Sequence, residues 1–390
     1  MKNFVFVLVI AAASVIALEP PAAAEPGVSA DTIVIGQWGP QTGPAALWGS
    51  VARGTEAYFK MLNDEGGING RKLKLVIRDD AYMPAKTKAV VKELLDDVKV
   101  FAFVGGVGTA TGMAVKDLIA EQKAPWVGMA TGSSNFYSPP NPYVFALYPQ
   151  YAGEAAVLAK YTLDTLKKTK IAVLYQNDDY GKEGLKGIES VLSARGLKAV
   201  EKVSVEVLDR DLSSQVMKLK ASGADAVVLW VLPTHAAIAL GAARKVGFSP
   251  QWISSSTLSD APLMYKLTEG AWDGVVFGSF LDLPDSDSPL MAKYREAHKK
   301  YTDPAKERWG VFFYAGFAFA EPMVEALKKA GKEPTREGFV KAMETLKDFK
   351  GIMGPVTFGP GKRQGMNSVF VSKCEKGKAV KLTDWIEMDK

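Results

Sequence analysis

The stretch that decides the fold lies at residues 32–63 and reads TIVIGQWGPQTGPAALWGSVARGTEAYFKMLN. It begins with a β-rich run, Thr32–Gly36, passes through a turn rich in glycine and proline, and ends in a helical pattern from about Leu47 to Asn63. A strand followed at once by a helix is the first half of a β-α-β unit, in which the helix carries the chain to a neighbouring parallel strand. We therefore predict a parallel sheet covered by helices.

The same alternation continues along the chain in two series. The first contains the segments Lys72–Arg78, Ala85–Asp97, Val100–Val104, Thr109–Gln122 and Pro125–Met129. The second contains Gly153–Leu166, Ile171–Tyr175, Gly181–Arg195, Val200–Val205, Leu212–Ser222, Ala226–Val231, His235–Val246 and Gln251–Ser254. Because the two series separate near Pro149-Gln150, they predict an α/β protein with two Rossmann-like parallel sheets, each forming its own lobe.

The last third of the chain breaks this pattern. It predicts a strand at Val275–Phe280, then three helices, and then short strands near Val356–Phe358, Asn367–Ser372 and Val380–Trp385. The helices are expected at about Pro289–Tyr301, Gly310–Ala330 and Arg336–Leu346. Part of this segment must complete the first lobe, and no long low-complexity linker is present, so the chain is expected to cross between lobes through short hinges.

Composition excludes several classes of protein. The chain has 390 residues, of which 47 % are hydrophobic and 23 % charged, values that exclude disorder, collagen and coiled coil and allow two hydrophobic cores. The formal net charge is +5 with both signs interspersed. No basic stripe of the kind that follows a phosphate backbone is visible, so we expect no nucleic-acid partner.

The first residues indicate the compartment. Lys2 precedes an apolar run from Phe4 to Leu18, and the small-residue tripeptide Ala22-Ala23-Ala24 follows. This order predicts a secretory signal peptide over residues 1–24, cleaved after Ala24. The single cysteine, Cys374, excludes an intrachain disulfide and lies far from any lipid-attachment position. We expect a free protein of the periplasm.

Two polar turns are expected at the same edge of the first sheet. The run Gly105–Gly112 follows a strand but has GxGxxxG spacing, and no acidic residue follows the next strand to bind a ribose, so a nucleotide site is disfavoured. Thr109 is either a plain helix cap or part of a site for a small carboxylate. Gly132-Ser133-Ser134-Asn135 is either an ordinary turn or a second donor cluster beside Thr109.

No catalytic, metal or cofactor site is predicted. The chain has no GxSxG motif, and its two histidines, His235 and His298, lie in different regions without an accompanying serine or cysteine motif. Two separate histidines do not make a histidine-based metal site. Gly361-Lys362-Arg363 lacks the remaining residues of a P-loop and is interpreted as a turn.

The segment Gly39–Gly49, GPQTGPAALWG, resembles the periplasmic leucine/isoleucine/valine-binding proteins of branched-chain amino acid ABC transporters. The resemblance continues in order through Asn63–Arg71, Asp79-Asp80, Ile171–Leu174, Asp179–Gly181 and Tyr314-Ala315. It implies a type I periplasmic binding fold with three hinge crossings. The first lobe would comprise about 25–149 and 280–365, and the second about 150–279 and 366–390.

The resemblance also implies which residues bind ligand. A ligand carboxylate would be held by Thr109, Gly132 and Ser134, while Trp48 and Tyr180 would cover the ligand from the two lobes. Trp309 matches a further aromatic of the family, and Thr234 completes the predicted set. Tyr151 and Ser256 stand where the family has acidic residues that hold the ligand ammonium.

These departures favour a small carboxylate without an α-amine, because burying an ammonium without a carboxylate costs several kcal/mol, as a rough figure. An aromatic acid would suit the predicted walls, although Asp260 or Asp178 could replace the missing acids. We expect a monomeric solute receptor that docks with the permease of an ABC importer. The alternatives are a receptor for branched-chain or other amino acids or amides, and a ligand sensor not coupled to transport.

Overall fold

The computed structural model describes residues 25–388, so the predicted signal peptide, residues 1–24, lies outside the described residues. Within this range, none of the helices combines the length and apolar composition needed to cross a membrane. The described chain forms two lobes, each built on its own sheet.

The first lobe contains a five-stranded parallel sheet in the order β2-β1-β3-β4-β5. Its elements are β1 (Thr32–Gly39), α1 (Ser50–Asp64), β2 (Lys72–Asp79), α2 (Pro84–Asp96), β3 (Ala102–Val104), α3 (Thr109–Met113), α4 (Lys116–Glu121), β4 (Trp126–Val127) and β5 (Val144–Phe145). The single helix predicted over Thr109–Gln122 is wrong. It is divided between α3 and α4, where Val115 leaves helical geometry with φ of −125° and is fully buried.

The second lobe continues the alternation that the sequence predicted. Its elements are α5 (Tyr151–Asp164), β6 (Ile171–Gln176), α6 (Asp179–Ala194), β7 (Glu201–Val205), α7 (Ser213–Ala221), β8 (Ala226–Trp230), α8 (Pro233–Lys245), β9 (Gln251–Ser254), α9 (Ala261–Leu267) and β10 (Val276–Ser279). Strands β6 to β10 pair in parallel through apolar, almost entirely buried central strands. Such continuous apolar strands are typical of a sheet covered on both faces.

The tail of the chain is shared between the lobes. It forms α10 (Pro289–Tyr301), α11 (Val311–Ala330), α12 (Arg336–Glu344), β11 (Ser368–Glu375), β12 (Lys378–Lys381) and β13 (Ile386–Glu387). Helices α10 and α11 pack on α1, whereas β11 and β12 extend the second sheet to the order β12-β11-β10-β9-β8-β6-β7, with β13 paired to β11. The strand predicted near Val356–Phe358 is reduced to an isolated bridge between Val356 and Phe349.

Helix α11 is buried on nearly all sides and forms the centre of the first lobe. A helix surrounded by protein buries its polar residues with its apolar ones. Glu321 is such a residue: its carboxylate accepts from the Tyr294 hydroxyl at 2.7 Å and from the Ile352 N–H at 3.0 Å. Burial raises the pKa of Glu321 to about 7.

The chain passes between the sheets three times, near residues 149, 280 and 366, and the crossings lie side by side. The Gln364 amide donates to the Tyr148 carbonyl at 2.9 Å, and the Gln150 amide donates to Asn367 at 3.2 Å. The ring of Phe280, on the remaining crossing, lies 4.6 Å from that of Tyr148. A few short parallel segments of this kind suit a hinge.

Candidate functional site

A cavity lies between the lobes, at the carboxyl ends of the parallel strands. The space between the protein atoms there, counted together with the part open to solvent, measures about 390 Å³. Its walls are formed by Ala45, Trp48, Tyr82, Val107, Gly108, Thr109, Ala130, Tyr151, Tyr180, Val231, Leu232, Pro233 and Thr257. Among these described wall residues, none carries an acidic or basic side chain.

Two hydroxyls meet where β3 and β4 end. The pairing of the strands continues past both, through a bridge between Val107 and Ala130, and the Ala130 N–H donates to the Gly106 carbonyl at 2.8 Å. This continuation places the Thr109 and Thr131 hydroxyl oxygens 2.8 Å apart, both fully buried. The Tyr151 phenol lies beside Thr131 and the backbone of Gly132. We name Thr109, Thr131 and Tyr151 the hydroxyl cluster.

Tyr82 closes the cavity from the first lobe through a constrained loop. Its backbone has a left-handed φ of 62°, and its N–H donates to the Asp80 carboxylate at 2.9 Å. Gly108, opposite, has φ of +104°, and a Cβ there would overlap the Tyr82 ring. Glycine at 108 is therefore required both for the backbone angle and for the close approach of the ring.

The aromatic walls are fixed by their own packing. Tyr151 meets Tyr180 edge to face with ring centroids 5.1 Å apart, and the Tyr180 hydroxyl lies 2.6 Å from the Thr257 hydroxyl. On the other side, Trp48 packs 4.4 Å from Phe312. Burial raises the pKa of Tyr151 and Tyr180, so both phenols stay neutral and present flat rings with a polar tip.

The structure brings Trp48, Thr109, Tyr151 and Tyr180 to the cavity wall, as the sequence predicted for ligand-binding residues. It does not bring Gly132, Ser134, Thr234, Ser256 or Trp309 to that wall.

Trp309, Thr234 and Gly132 are committed to other contacts. The Trp309 indole N–H donates to the Pro284 carbonyl at 2.9 Å, and its ring packs 5.0 Å from Tyr314, inside the first lobe. Thr234 lies at the rim, where its hydroxyl is 3.5 Å from the Pro44 carbonyl. The Gly132 carbonyl accepts from the Tyr151 N–H at 3.1 Å, so Gly132 positions the wall from behind.

Ser256 lies behind the wall, against a buried acid. Its N–H and hydroxyl both donate to the Glu154 carboxylate, the hydroxyl at 2.9 Å, and its hydroxyl also lies 3.1 Å from that of Tyr148. Burial raises the pKa of Glu154 to about 7.

Ser134 faces an acid of the other lobe. The Ser134 N–H donates to Glu183 at 3.1 Å, and the neighbouring Ser133 hydroxyl donates to the same carboxylate at 2.6 Å. Burial raises the pKa of Glu183. The second predicted donor cluster is therefore occupied by a side chain of this protein.

The two acids that could replace the family's ammonium partners both cap helices. Asp178 accepts from the Gly181 N–H at 3.2 Å at the start of α6, and Asp260 accepts from the Leu263 N–H at 3.2 Å at the start of α9. Asp260 also accepts from the Phe312 N–H of the first lobe at 3.3 Å. Burial raises the pKa of both carboxyls.

Sequence reasoning missed Tyr82, Thr131 and Thr257. Thr131 had a usable signal, because it follows β4 much as Thr109 follows β3, and Tyr82 follows Asp79-Asp80, a pair that carries part of the family resemblance. Thr257 had none, since only the packing of Tyr180 directs it toward the cavity. Across residues 25–388, no group of three His, Cys, Asp or Glu side chains is arranged to hold a metal ion.

Comparison with known proteins matches nearly the whole chain. The family model described as periplasmic binding protein matches residues 32–379. The Leu/Ile/Val-binding protein homolog 3 of Brucella melitensis is 25 % identical over 351 residues, which cover 90 % of this chain and 93 % of that protein.

Two solved structures extend the comparison. A fatty acid ABC transporter substrate-binding protein from Thermomonospora curvata has a TM-score of 0.82 at 25 % identity and covers 94 % of this chain and 95 % of its own. A branched-chain amino acid ABC transporter protein from Thermus thermophilus with bound valine has a TM-score of 0.85 at 22 % identity, covering 92 % and 97 %. The second likeness shows the fold alone, and it confirms the predicted two-lobed α/β class.

Proposed function

The chain belongs to the periplasmic binding protein family of substrate-binding proteins, and we propose that it is the extracytoplasmic solute receptor of an ABC importer whose cavity binds a small aromatic carboxylate. In this proposal the mature chain is a periplasmic monomer that closes over its ligand and docks with the permease subunits in the inner membrane. The ligand carries a carboxylate but no α-amine.

The absence of charge from the described cavity wall is the observation that carries the proposal. A buried ammonium needs a carboxylate partner, since leaving it unpaired costs several kcal/mol, as a rough figure. The residues at the family's ammonium positions are Tyr151, a neutral phenol, and Ser256, which is turned toward Glu154 behind the wall. The rings of Trp48, Tyr151 and Tyr180 instead offer apolar area to a planar ligand.

The hydroxyl cluster supplies a donor for the ligand carboxylate. Thr131 Oγ1 accepts from the Ser133 N–H at 3.3 Å, and its single proton is available to Thr109 Oγ1, which lies 2.8 Å away. When Thr131 is the donor in this pair, Thr109 keeps its own proton for an acceptor in the cavity. A hydrogen bond to a charged acceptor is worth about 1.5–3 kcal/mol, enough to select a carboxylate over a neutral group.

A branched-chain amino acid is the second candidate, because curated relatives of the chain are named Leu/Ile/Val-binding proteins. The solved relative from Thermomonospora curvata, by contrast, is named for a fatty acid, which is a carboxylate without an amine. For an amino acid to bind, Asp178 or Asp260 would have to leave its helix cap or serve both the cap and the ligand.

Matched ligand pairs test the proposal. Thermal shift and calorimetry should compare 3-phenylpropanoate with phenylalanine, and 4-methylpentanoate with leucine, because each pair differs by the α-amine alone. Benzoate, cinnamate, isoleucine and valine complete the panel, and benzamide controls for the carboxylate. We expect the amine-free aromatic acids to raise the melting temperature most. Stabilisation by leucine, isoleucine and valine, with no response to any amine-free acid, would overturn the proposal.

Solution scattering tests the receptor motion separately. A ligand that contacts both lobes stabilises the closed state by its differential affinity. A saturating ligand from the panel should therefore reduce the radius of gyration while the mass stays that of a monomer. An unchanged radius with a verified tight ligand would contradict the hinge motion, whatever the ligand's chemistry.

A further inference from the structure

The contact between Glu183 and the Ser133-Ser134 turn joins the two lobes across the cleft. Glu183 lies on α6 of the second lobe, and the turn follows β4 of the first. Helix α6 also faces α3, which carries Thr109. The contact therefore closes the cleft beside the hydroxyl cluster, although neither serine lines the cavity wall.

One carboxylate accepts three hydrogen bonds there. The Ser133 hydroxyl donates to Oε1 at 2.6 Å, the Ser134 N–H donates to Oε2 at 3.1 Å, and the Ser134 hydroxyl donates to Oε1 at 3.3 Å. Ser133 is fully buried and Glu183 is half-buried. Hydrogen bonds to a charged acceptor are stronger than those between neutral groups, so this contact offsets part of the cost of burying the acid.

Further polar contacts also join the lobes, among them one between the Tyr82 hydroxyl and the Gln176 side chain. Thr234 meets the Pro44 carbonyl at 3.5 Å, the limit of a hydrogen bond, and the contact between Tyr148 and Ser256 joins neutral hydroxyls at 3.1 Å beside a crossing. The buried Asp260 accepts from the Phe312 N–H at 3.3 Å and from the backbone of Val311, both at the start of α11 in the other lobe.

We propose that Glu183 is an interlobe latch: its carboxylate fills the donors of Ser133 and Ser134 whenever the lobes meet and so stabilises the closed conformation by itself. The same occupancy reserves these donors and leaves the hydroxyl cluster to anchor the ligand, a consequence that rests on the proposed function. The latch concerns the protein alone and does not depend on the ligand's identity.

Distance measurements without ligand test the latch. Spin labels at Lys88→Cys on α2 and Lys218→Cys on α7 report the lobe separation, because both lysines are exposed and lie in different lobes. The buried Cys374 is replaced by alanine in every sample. We expect a closed population in the parent protein, and we expect Glu183→Ala to raise the ratio of open to closed molecules roughly tenfold or more, the scale of one hydrogen bond to a charge.

Two further variants make the result specific. Ser133→Ala removes the 2.6 Å donor from the other lobe and should shift the distances in the same direction; it also decides the matter if Glu183→Ala fails to fold. Glu189→Gln changes an acid of the same helix that pairs with Lys202 on the surface and should leave the distances unchanged. The proposal is overturned if the parent shows no closed population, if neither latch variant opens it, or if Glu189→Gln opens it equally.

Discussion

The two lobes contribute opposite chemistry to the same cleft. The first lobe brings hydroxyls that follow β3 and β4, and in the proposed function the Thr109 hydroxyl donates to the ligand carboxylate. The second lobe brings four buried or half-buried acids near the cleft, Glu154, Asp178, Glu183 and Asp260, and each accepts hydrogen bonds from protein groups. A carboxylate close to the cleft that already accepts hydrogen bonds from the protein has fewer acceptor positions left for a ligand.

The largest expected effect is on the pH dependence of stability, to which two buried acids contribute, one in each lobe. Burial raises the pKa of Glu154 from 4.5 to about 7. The folded state then holds a proton that the unfolded state releases, so the contribution of Glu154 to stability is fully present below pH 4.5 and is lost as the pH rises toward 7. One pKa unit is worth about 1.4 kcal/mol, so the loss approaches about 3 kcal/mol for this group.

Glu154→Gln should remove this contribution, because the amide has a similar shape and carries no charge. Denaturant unfolding between pH 4.5 and 8 should show a flatter profile in the variant. Glu321 in the first lobe has a pKa raised in the same way, to about 7, so Glu321→Gln should flatten the profile to a similar extent. Equal profiles for the parent and both variants would show that neither acid takes up a proton on folding.

Thr109→Val tests the donor of the first lobe. It removes the hydroxyl from the cavity wall at nearly constant volume, and a lost hydrogen bond to a charged acceptor should weaken 3-phenylpropanoate by about 1.5–3 kcal/mol. Calorimetry measures this change. Thr234→Val, at the rim of the second lobe, is the control, and its affinity should stay within roughly threefold of the parent because Thr234 contributes no group to the wall. If Thr109→Val keeps the parent affinity, the ligand carboxylate does not bind at Thr109.

Asp178 tests whether an acid of the second lobe also serves the ligand. Asp178→Ala should cost about 1 kcal/mol of stability, because it removes the cap of α6, whereas Asp178→Asn should retain the cap. Neither should change the affinity for 3-phenylpropanoate beyond roughly threefold. If leucine binds the parent and Asp178→Asn abolishes that binding, the acid is an ammonium partner and the comparison between the lobes fails.

Ser134→Ala has the smallest expected effect. Its hydroxyl is exposed and lies 3.3 Å from Glu183, and its N–H contact to the same carboxylate persists in the variant. Ligand affinity measured by calorimetry should change by less than about 0.5 kcal/mol. A loss of affinity as large as that of Thr109→Val would indicate that Ser134 binds the ligand and that Glu183 does not occupy the Ser134 donors in the complex.

Much of the fold was predictable because local patterns repeat. Apolar runs such as Ile171–Tyr175 and the helix-forming segments after them require no long-range information, and the parallel sheets follow from their alternation. The tail was harder. The predicted strand over Val380–Trp385 is instead β12 ending at Lys381, with β13 beginning at Ile386, since short strands are defined by the partners they pair with.

The candidate site was predictable where it depended on strand ends, and less so elsewhere. Thr109 follows β3, and Tyr151 and Tyr180 begin or enter helices after a crossing or a strand, so their places follow from topology. Trp309 is different, because its indole N–H donates to the Pro284 carbonyl and its ring packs against Tyr314. No pattern in the neighbouring sequence predicts either contact.

The sequence by itself determined the β-α alternation, the two sheets and the edge at which polar turns gather, because these depend on periodicity and chain order. Only the tertiary structure decided which of those turns faces the cavity. Ser134 and Thr109 are both hydroxyl residues just past a strand, yet Glu183 from the other lobe occupies the first and Thr131 orients the second. Whether a donor is free depends on the side chain that packs against it, and that neighbour comes from a distant part of the chain.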